Sequence, residues 1–330
     1  MCPATESQER YPRVVLVGDH KQLPPVVTEE TIEHTPKVPK VLLKAGLREN
    51  DTLKTSLFER LFRIWSKKTE NVIILSEQYR MNEAISRIVK NGFYPTINYV
   101  PANDKIGTHT IEKFLKPYDT SIQDDKSRSE LINTLFEPNK PVILVNTEKD
   151  KEAIEGIQEV DIQTESRFNI RESKIIAKVL AEFLGAYNKK SQIEIAKEIG
   201  VISPYRHQNN LIYGKLRARN LPEEVIEQIR VDTVDRFQGD EREIIILSLT
   251  NSNDLNIIGQ LHRDWRRMNV SISRAKAKLI IVGNRRTFTE KSADSKEDEA
   301  KAIFSEAFRT FDELKKENLA EEIQSEKIKV

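Results

Sequence analysis

The chain has 330 residues, 38% hydrophobic and 32% charged, and carries a net charge of +1. That balance describes a highly charged globular protein of two domains or one large one, without bulk basic attraction for nucleic acid, so that a bound strand needs a local groove. Cys2 is the only cysteine and no apolar run has the length of a membrane span, which excludes an internal disulfide, argues against a cysteine-built zinc site and fits a reducing, intracellular setting.

The opening thirteen residues lack the apolar core of a signal peptide. Short apolar runs then recur: RVVLVGD (13–19), NVIILSE (71–77), PVILVNT (141–147), IGVISPY (199–205), RVDTVDRF (230–237), EIIILSLT (243–250) and KLIIVGN (278–284). Most are continuous and rich in Val and Ile, the pattern of strands buried on both faces. Helical patterns lie between them at 56–65, 82–93, 172–187 and 207–220. Strands alternating with helices predict an open, mostly parallel α/β sheet. Ligands on such sheets gather at the carboxyl ends of strands. Gly18-Asp19, Gln78-Tyr79-Arg80, Ser203-Pro204-Tyr205 and Gln238-Gly239 are all expected there. Residues 97–140 are polar and weakly periodic and read as loop and surface helix, and 148–168 read as another polar connection. Residues 290–330 place Phe304, Phe308 and Phe311 at helical spacing, which predicts an amphipathic C-terminal helix with a solvated final stretch.

Four stretches carry candidate chemistry, and each also has a plain structural reading. In GDHKQLPP, Asp19 caps a turn and Pro24-Pro25 stiffen its exit, while Gln22 can present an amide to a phosphate or an attacking water. In LSEQYRMN, Arg80 is either an ion-pair partner or a phosphate clamp, and Tyr79 is either packing or a flat face for a base. In VDTVDRFQGDE, Gly239 permits close backbone approach, and Asp240 and Glu241 bring two carboxylates to one turn. In RRMNVSISRAK, Arg267 and Arg274 are seven apart and are expected to share a helical face, as a solvated patch or as an arginine finger.

In order and content these stretches resemble the C-terminal motor motifs of superfamily 1 helicases, above all the Upf-like group that includes the nonsense-mediated-decay helicase and senataxin. GDHKQLPP resembles motif III, QYRMN motif IV, DTVDRFQGDE motif V and NVSISRAK motif VI. GLRENDTLKTSLFERL (46–61), SRFNIRESKIIAKVL (166–180) and IGVISPYRHQ resemble further family stretches, so the likeness covers about residues 10–287. One departure is Ser273, where the family commonly has Thr.

The resemblance implies a RecA-like parallel sheet with helices on both faces, as in the P-loop NTPase helicases. Residues 1–45 would be the end of a first RecA-like domain, 46–289 the second, and 290–330 a charged C-terminal helix. It implies that Gln22, Arg80 and Arg274 act on the γ-phosphate of ATP. Tyr79, Gly239 and Glu241 would lie near the nucleotide. Ser203, Pro204, Tyr205, Gln208 and Thr233 would lie toward a single strand of RNA or DNA. No residue of this chain is assigned to a metal. None of the eleven glycines opens a G-x-x-x-x-G-K-[ST] loop, and no Asp-Glu stands after an apolar strand. ATP and Mg²⁺ would therefore depend on an upstream first RecA-like domain, and this chain is expected not to hydrolyse ATP by itself. MCPATE resembles the stretch just beyond that Asp-Glu in some relatives, which implies a chain that opens shortly after it.

Three functions are thus expected in order. The first is the motor portion of an ATP-dependent helicase moving 5′ to 3′ on a single strand. The second is a non-catalytic module that binds nucleic acid or protein. The third is part of a nuclease-coupled DNA helicase. The sequence leaves the choice of RNA or DNA open.

Overall fold

The computed structural model describes residues 15–24, 40, 43, 48, 55–66, 72–121, 129–161 and 164–330. Cys2, Val14, Pro25 and most of the 46–54 segment lie outside the described residues, as do 122–128. The chain divides into two compact units, 1–74 and 75–330. The division falls later than residue 45, and the 290–330 segment belongs to the second unit.

In the first unit, the strand expected before Gly18 does not form among the described residues. Val15, Leu16 and Val17 join no ladder, and Val15 and Val17 are each 85% exposed. A continuous apolar run becomes a buried strand only where neighbours supply backbone partners and cover both faces. None does so among the described residues. Beyond it, Asp19 forms the expected turn, accepting from Lys21 N at 2.9 Å and from Gln22 Nε2 at 3.2 Å. Helix α1 (Leu57–Trp65) begins at Ser56, whose hydroxyl accepts from Glu59 N at 3.1 Å. The loop closes on this helix. His20 stacks on Phe62 at 4.4 Å, and a Cβ on Gly18 would meet the Phe58 ring at 3.0 Å.

The NVIILSE run differs from expectation in the same way. Only its last residue pairs: β1 (Glu77–Gln78), followed by α2 (Glu83–Phe93), lies parallel to β2 (Val100–Pro101). Leu75 is 75% exposed.

The second unit is built on a parallel sheet. Along the chain come β3 (Val142–Asn146), β4 (Gly156–Asp161), β5 (Thr164–Phe168), α3 (Ile170–Gly185), β6 (Ile199–Ser203), α4 (Arg206–Arg217), β7 (Arg230–Thr233), α5 (Val234–Phe237), β8 (Arg242–Ser248), α6 (Arg266–Ile272), β9 (Ala275–Gly283), α7 (Asp298–Lys316) and β10 (Ala320–Gln324). The six-stranded order is β10-β3-β9-β8-β6-β7, every pair parallel. Continuous apolar strands can serve both faces because alternate residues point opposite ways. Ile143, Val145, Ile244, Ile246, Ile280 and Val282 enter one core with Ile175, Ile176 and Phe183 of α3 and Ile212 of α4. Ile281, on the other face, lines a small apolar cavity with Ile88 of α2, Met268 and Ile272 of α6, and Phe304 and Phe308 of α7.

Three elements depart from the sequence reading. The 148–168 segment contains β4 and β5, an antiparallel hairpin in which Ile157 faces Arg167. RVDTVDRF is a strand only to Thr233, after which it coils into α5. The end of the chain is not a solvated stretch: β10 completes the sheet beside β3, burying Ala320 and Ile323 while Glu321 and Glu322 stay partly exposed. The amphipathic helix does form, and α7 buries Phe304, Phe308 and Phe311.

One buried carboxyl ties α3 to the sheet. Glu172 in the first turn of α3 accepts through Oε2 from Ser248 Oγ at 2.6 Å and Thr250 N at 2.9 Å. It is fully buried, and burial pushes its pKa up to about 8 although these two bonds oppose the shift. A carboxyl raised in the folded state favours folding below its unfolded pKa and loses that contribution as pH climbs through the folded one. Stability should therefore fall from about pH 5 to about pH 9 by roughly 2–5 kcal/mol through this group, and Glu172→Gln should flatten that slope. Urea unfolding of both proteins across that range checks it; parallel curves would remove Glu172 from the account.

Candidate functional site

The candidate residues of the second unit gather at opposite edges of the sheet. At the amino-terminal edge, Glu241 stands immediately before β8, and Ser273 and Arg274 stand immediately before β9. Arg80 follows β1 and reaches the same place. Its Nε lies 2.5 Å from Glu241 Oε2, and its Nη1 donates to the Ser273 carbonyl at 3.0 Å. The other Glu241 oxygen faces Lys276 Nζ at 3.4 Å. Burial works against ionisation of Glu241, but Arg80 and Lys276 outweigh it and hold the carboxyl below its ordinary range.

Arg274 is the unusual member. It is only 3% exposed, and among the described residues it has no carboxylate within ion-pair distance. Its Nε donates to Val270 O at 3.0 Å, its Nη1 to Asp240 O at 3.2 Å and its Nη2 to Ser273 Oγ at 3.2 Å. Burial, with Arg80 nearby, pushes its pKa down to about 10, so it stays protonated at neutral pH. Glu241 acts on this cation only from a distance, and neutral oxygens make its direct contacts, which suits it to an anion from outside. Arg267 does not share its face. It pairs with Asp235 at 3.0 Å and Asp264 at 3.2 Å, whereas Arg274 lies past the end of α6.

The loop between α5 and β8 is held from beneath. Asp240 accepts from Arg242 Nη1 at 2.6 Å and also pairs with Arg230. The Arg230 guanidinium lies over the Phe237 ring at 4.6 Å. Gly239 has φ +86°, a conformation that disfavours any side chain, and a Cβ there would meet nothing within 4 Å. The backbone is thus open at that point. Tyr79 is 68% exposed, its hydroxyl donating to Glu77 at 3.0 Å, which leaves the ring face free as a platform. Gln22 belongs to the first unit, in the Asp19 turn.

The carboxyl-terminal edge holds the other group. Ser203 ends β6, and its hydroxyl bonds Tyr205 O at 3.0 Å and Asn209 Oδ1 at 2.7 Å. Pro204 and Tyr205 are buried beside it, and Tyr205 OH lies 3.4 Å from Asn251 Oδ1. Thr233 ends β7 and is nearly buried. Gln208 reaches no surface. It is fully buried, accepts from Asn169 N at 2.8 Å and donates to Asn169 O at 3.2 Å and Ser248 Oγ at 3.0 Å. Its amide fastens the start of α3 to β8, a role its spacing did not reveal. Of the stretches expected after a strand, Tyr79-Arg80 follows β1 and Pro204-Tyr205 follows β6, but Gly239 lies before β8, because α5 carries the chain from the carboxyl end of β7 back to the amino end of β8.

Lys276, and the grip of Arg230 and Arg242 on Asp240, were not legible as site features. The register between β8 and β9 shifts between Arg242 and Ile244. Such irregularities re-aim side chains, and periodicity alone gives no sign of them. Among the described residues no group of three or more His, Cys, Asp or Glu stands together. No helix among them is long and apolar enough to cross a membrane.

Residues 53–286 match a protein family described as an AAA domain. The DNA replication ATP-dependent helicase/nuclease of Bos taurus is 33% identical over 276 residues, 82% of this chain and 22% of its own length. An uncharacterized ATP-dependent helicase of Methanocaldococcus jannaschii is 32% identical over 272 residues, 82% of this chain and 32% of that protein. The DNA polymerase alpha-associated DNA helicase A of Saccharomyces cerevisiae is 30% identical over 286 residues, 86% and 35%. The chain thus spans between a fifth and about a third of these relatives.

Gln208→Ala should lower folding stability by about 2–3 kcal/mol, since it leaves the buried Asn169 N–H without its acceptor and takes a donor from Ser248 Oγ. Chemical denaturation checks this. Unchanged stability together with weakened single-strand binding would instead return Gln208 to the strand contacts.

Proposed function

The chain belongs to the AAA domain family of superfamily 1 helicases, as a C-terminal part, and from that membership we propose that it supplies the second, arginine-bearing half of an ATP-driven motor on single-stranded nucleic acid. The observation that carries the reading is Arg274, a buried guanidinium without a carboxylate, beside Arg80. Phosphoryl transfer is catalysed largely by placing fixed positive charge where charge spreads over the phosphoryl oxygens. Arg274, held by neutral oxygens, meets that need with little reorganisation, and Arg80 stands ready on the Ser273 carbonyl. The orphaned charge and the open backbone at Gly239 fit a nucleotide phosphate. ATP would supply the phosphoryl group, while this chain's residues bind and neutralise it. Arg80 must leave Glu241 to reach an anion, whose charge would take the carboxylate's place. Tyr79 offers the exposed face against a base.

The motor reading extends to Gln22 as the γ-phosphate sensor and to Ser203, Pro204, Tyr205 and Thr233 as strand-side residues, with 5′-to-3′ movement. It retains the Upf-like likeness as a finer assignment and places the phosphate loop and the acidic magnesium site in an upstream RecA-like domain. Two anchored, phosphate-competent arginines favour a motor over a non-catalytic module, because a pure binder has no use for a buried unpaired cation. The names of the relatives favour DNA as the strand and make a nuclease-coupled helicase the second reading.

In the full-length protein, Arg274→Ala should lower ATP turnover by about 10³-fold or more while leaving single-strand affinity within a factor of about two. Steady-state hydrolysis with a saturating oligonucleotide, beside fluorescence anisotropy, checks both halves. Unaltered turnover would end the arginine-finger role.

A further inference from the structure

The two arginines are joined through one residue. Ser273 gives its main-chain carbonyl to Arg80 Nη1 at 3.0 Å and its hydroxyl to Arg274 Nη2 at 3.2 Å. The hydroxyl is itself oriented, because it donates to Val270 O at 3.1 Å, one turn back on α6. That leaves an oxygen lone pair for the Arg274 guanidinium. Val270 O also accepts from Arg274 Nε at 3.0 Å, so a single carbonyl fixes both the arginine and the hydroxyl that braces it. The third bond, from Nη1 to Asp240 O, completes a support on all three nitrogens. Each nitrogen is thus held by one oxygen, and the two Nη groups each retain a second N–H.

From this geometry we infer that Ser273 is a positioning residue. Its hydroxyl fixes the angle of Arg274, and its carbonyl fixes Arg80 at a set spacing, so that the two guanidinium groups can straddle one phosphate. Without the hydroxyl, Nη2 loses the acceptor that Ser273 supplies in a site that is nearly closed to water. The guanidinium can then swing about its Cδ–Nε bond and lose its aim, since the planar head group moves as one piece. Because the two bonds to Ser273 use different atoms, a side-chain substitution tests one arginine and spares the other. The inference rests on the proposed phosphate role of Arg80 and Arg274, and it adds the residue that sets their spacing.

The test compares Ser273→Ala with Ser273→Thr, which keeps the hydroxyl, in two measurements. The first follows arginine side-chain Nε–H exchange by nitrogen-15 NMR in this chain. Ser273→Ala should speed exchange at Arg274 by about 3- to 10-fold and leave Arg80 unchanged, while Ser273→Thr should match the parent. The second is ATP turnover of the full-length protein with Arg274→Ala as control. Ser273→Ala should lower kcat by about 3- to 10-fold with KM for ATP unchanged, and Thr should restore it. If Arg274→Ala cripples turnover while the Ala and Thr variants behave alike in both measurements, the positioning role of Ser273 is overturned and the phosphate reading stands. If Arg274→Ala is also without effect, the phosphate reading falls. Faster exchange at Arg80 as well as Arg274 would point to general loosening and would likewise overturn the role.

Discussion

Arg274 lies in the low-dielectric interior at the amino edge of the sheet, and neutral oxygens of Val270, Asp240 and Ser273 hold it. Leaving a charge there without a partner opposes folding. The surroundings are arranged to hold that cation in place: α6 ends at Ile272 just before it, Asp240 is pinned by Arg230 and Arg242, and Arg80 is docked on Glu241. Glu241 acts as the local anion for Arg80 and leaves Arg274 with none in direct contact. A phosphate arriving at this edge would meet one guanidinium already oriented and a second that can be released to it.

The segment from Thr233 to Glu241 gives the fold its functional geometry. It leaves the carboxyl edge of the sheet at β7, crosses as the single turn α5, and delivers Asp240 and Glu241 to the amino edge at β8. One short, continuous segment therefore spans both candidate edges. Phe237 anchors the crossing. It is fully buried, a Cβ on Gly200 would approach its ring to 2.6 Å, and Arg230 covers its face. Displacement of Glu241 by a ligand would press on a segment with little room to yield, because packed cores do not deform continuously.

Much of this was legible in the sequence. The apolar runs at 141–147, 199–205, 243–250 and 278–284 became β3, β6, β8 and β9, because strands buried on both faces need apolar residues at every position. Arg80, Glu241 and Arg274, far apart in the chain, gather at the amino edge of the sheet. Other features were hidden for physical reasons. The runs at 13–19 and 71–77 share the strand pattern, yet pairing depends on partners that no local pattern reports. β10 carries Glu321 and Glu322 because it is an edge strand, where charge guards against further pairing, and so it lacks the buried-strand signature. The Gln208 amide and the Ser273 hydroxyl act through tertiary contacts that spacing does not encode. Which edge of the sheet a loop serves was equally invisible, since it turned on whether RVDTVDRF remained a strand or coiled after Thr233.

The most direct test of the central claim is a structure of the full-length protein with ADP, aluminium fluoride and a single-stranded oligonucleotide. The account predicts both Arg80 and Arg274 within hydrogen-bonding distance of the fluoride, Arg80 detached from Glu241, and Arg274 still held by Ser273 and Asp240. A structure in which Arg80 stays on Glu241 and neither arginine touches the phosphate mimic would contradict it.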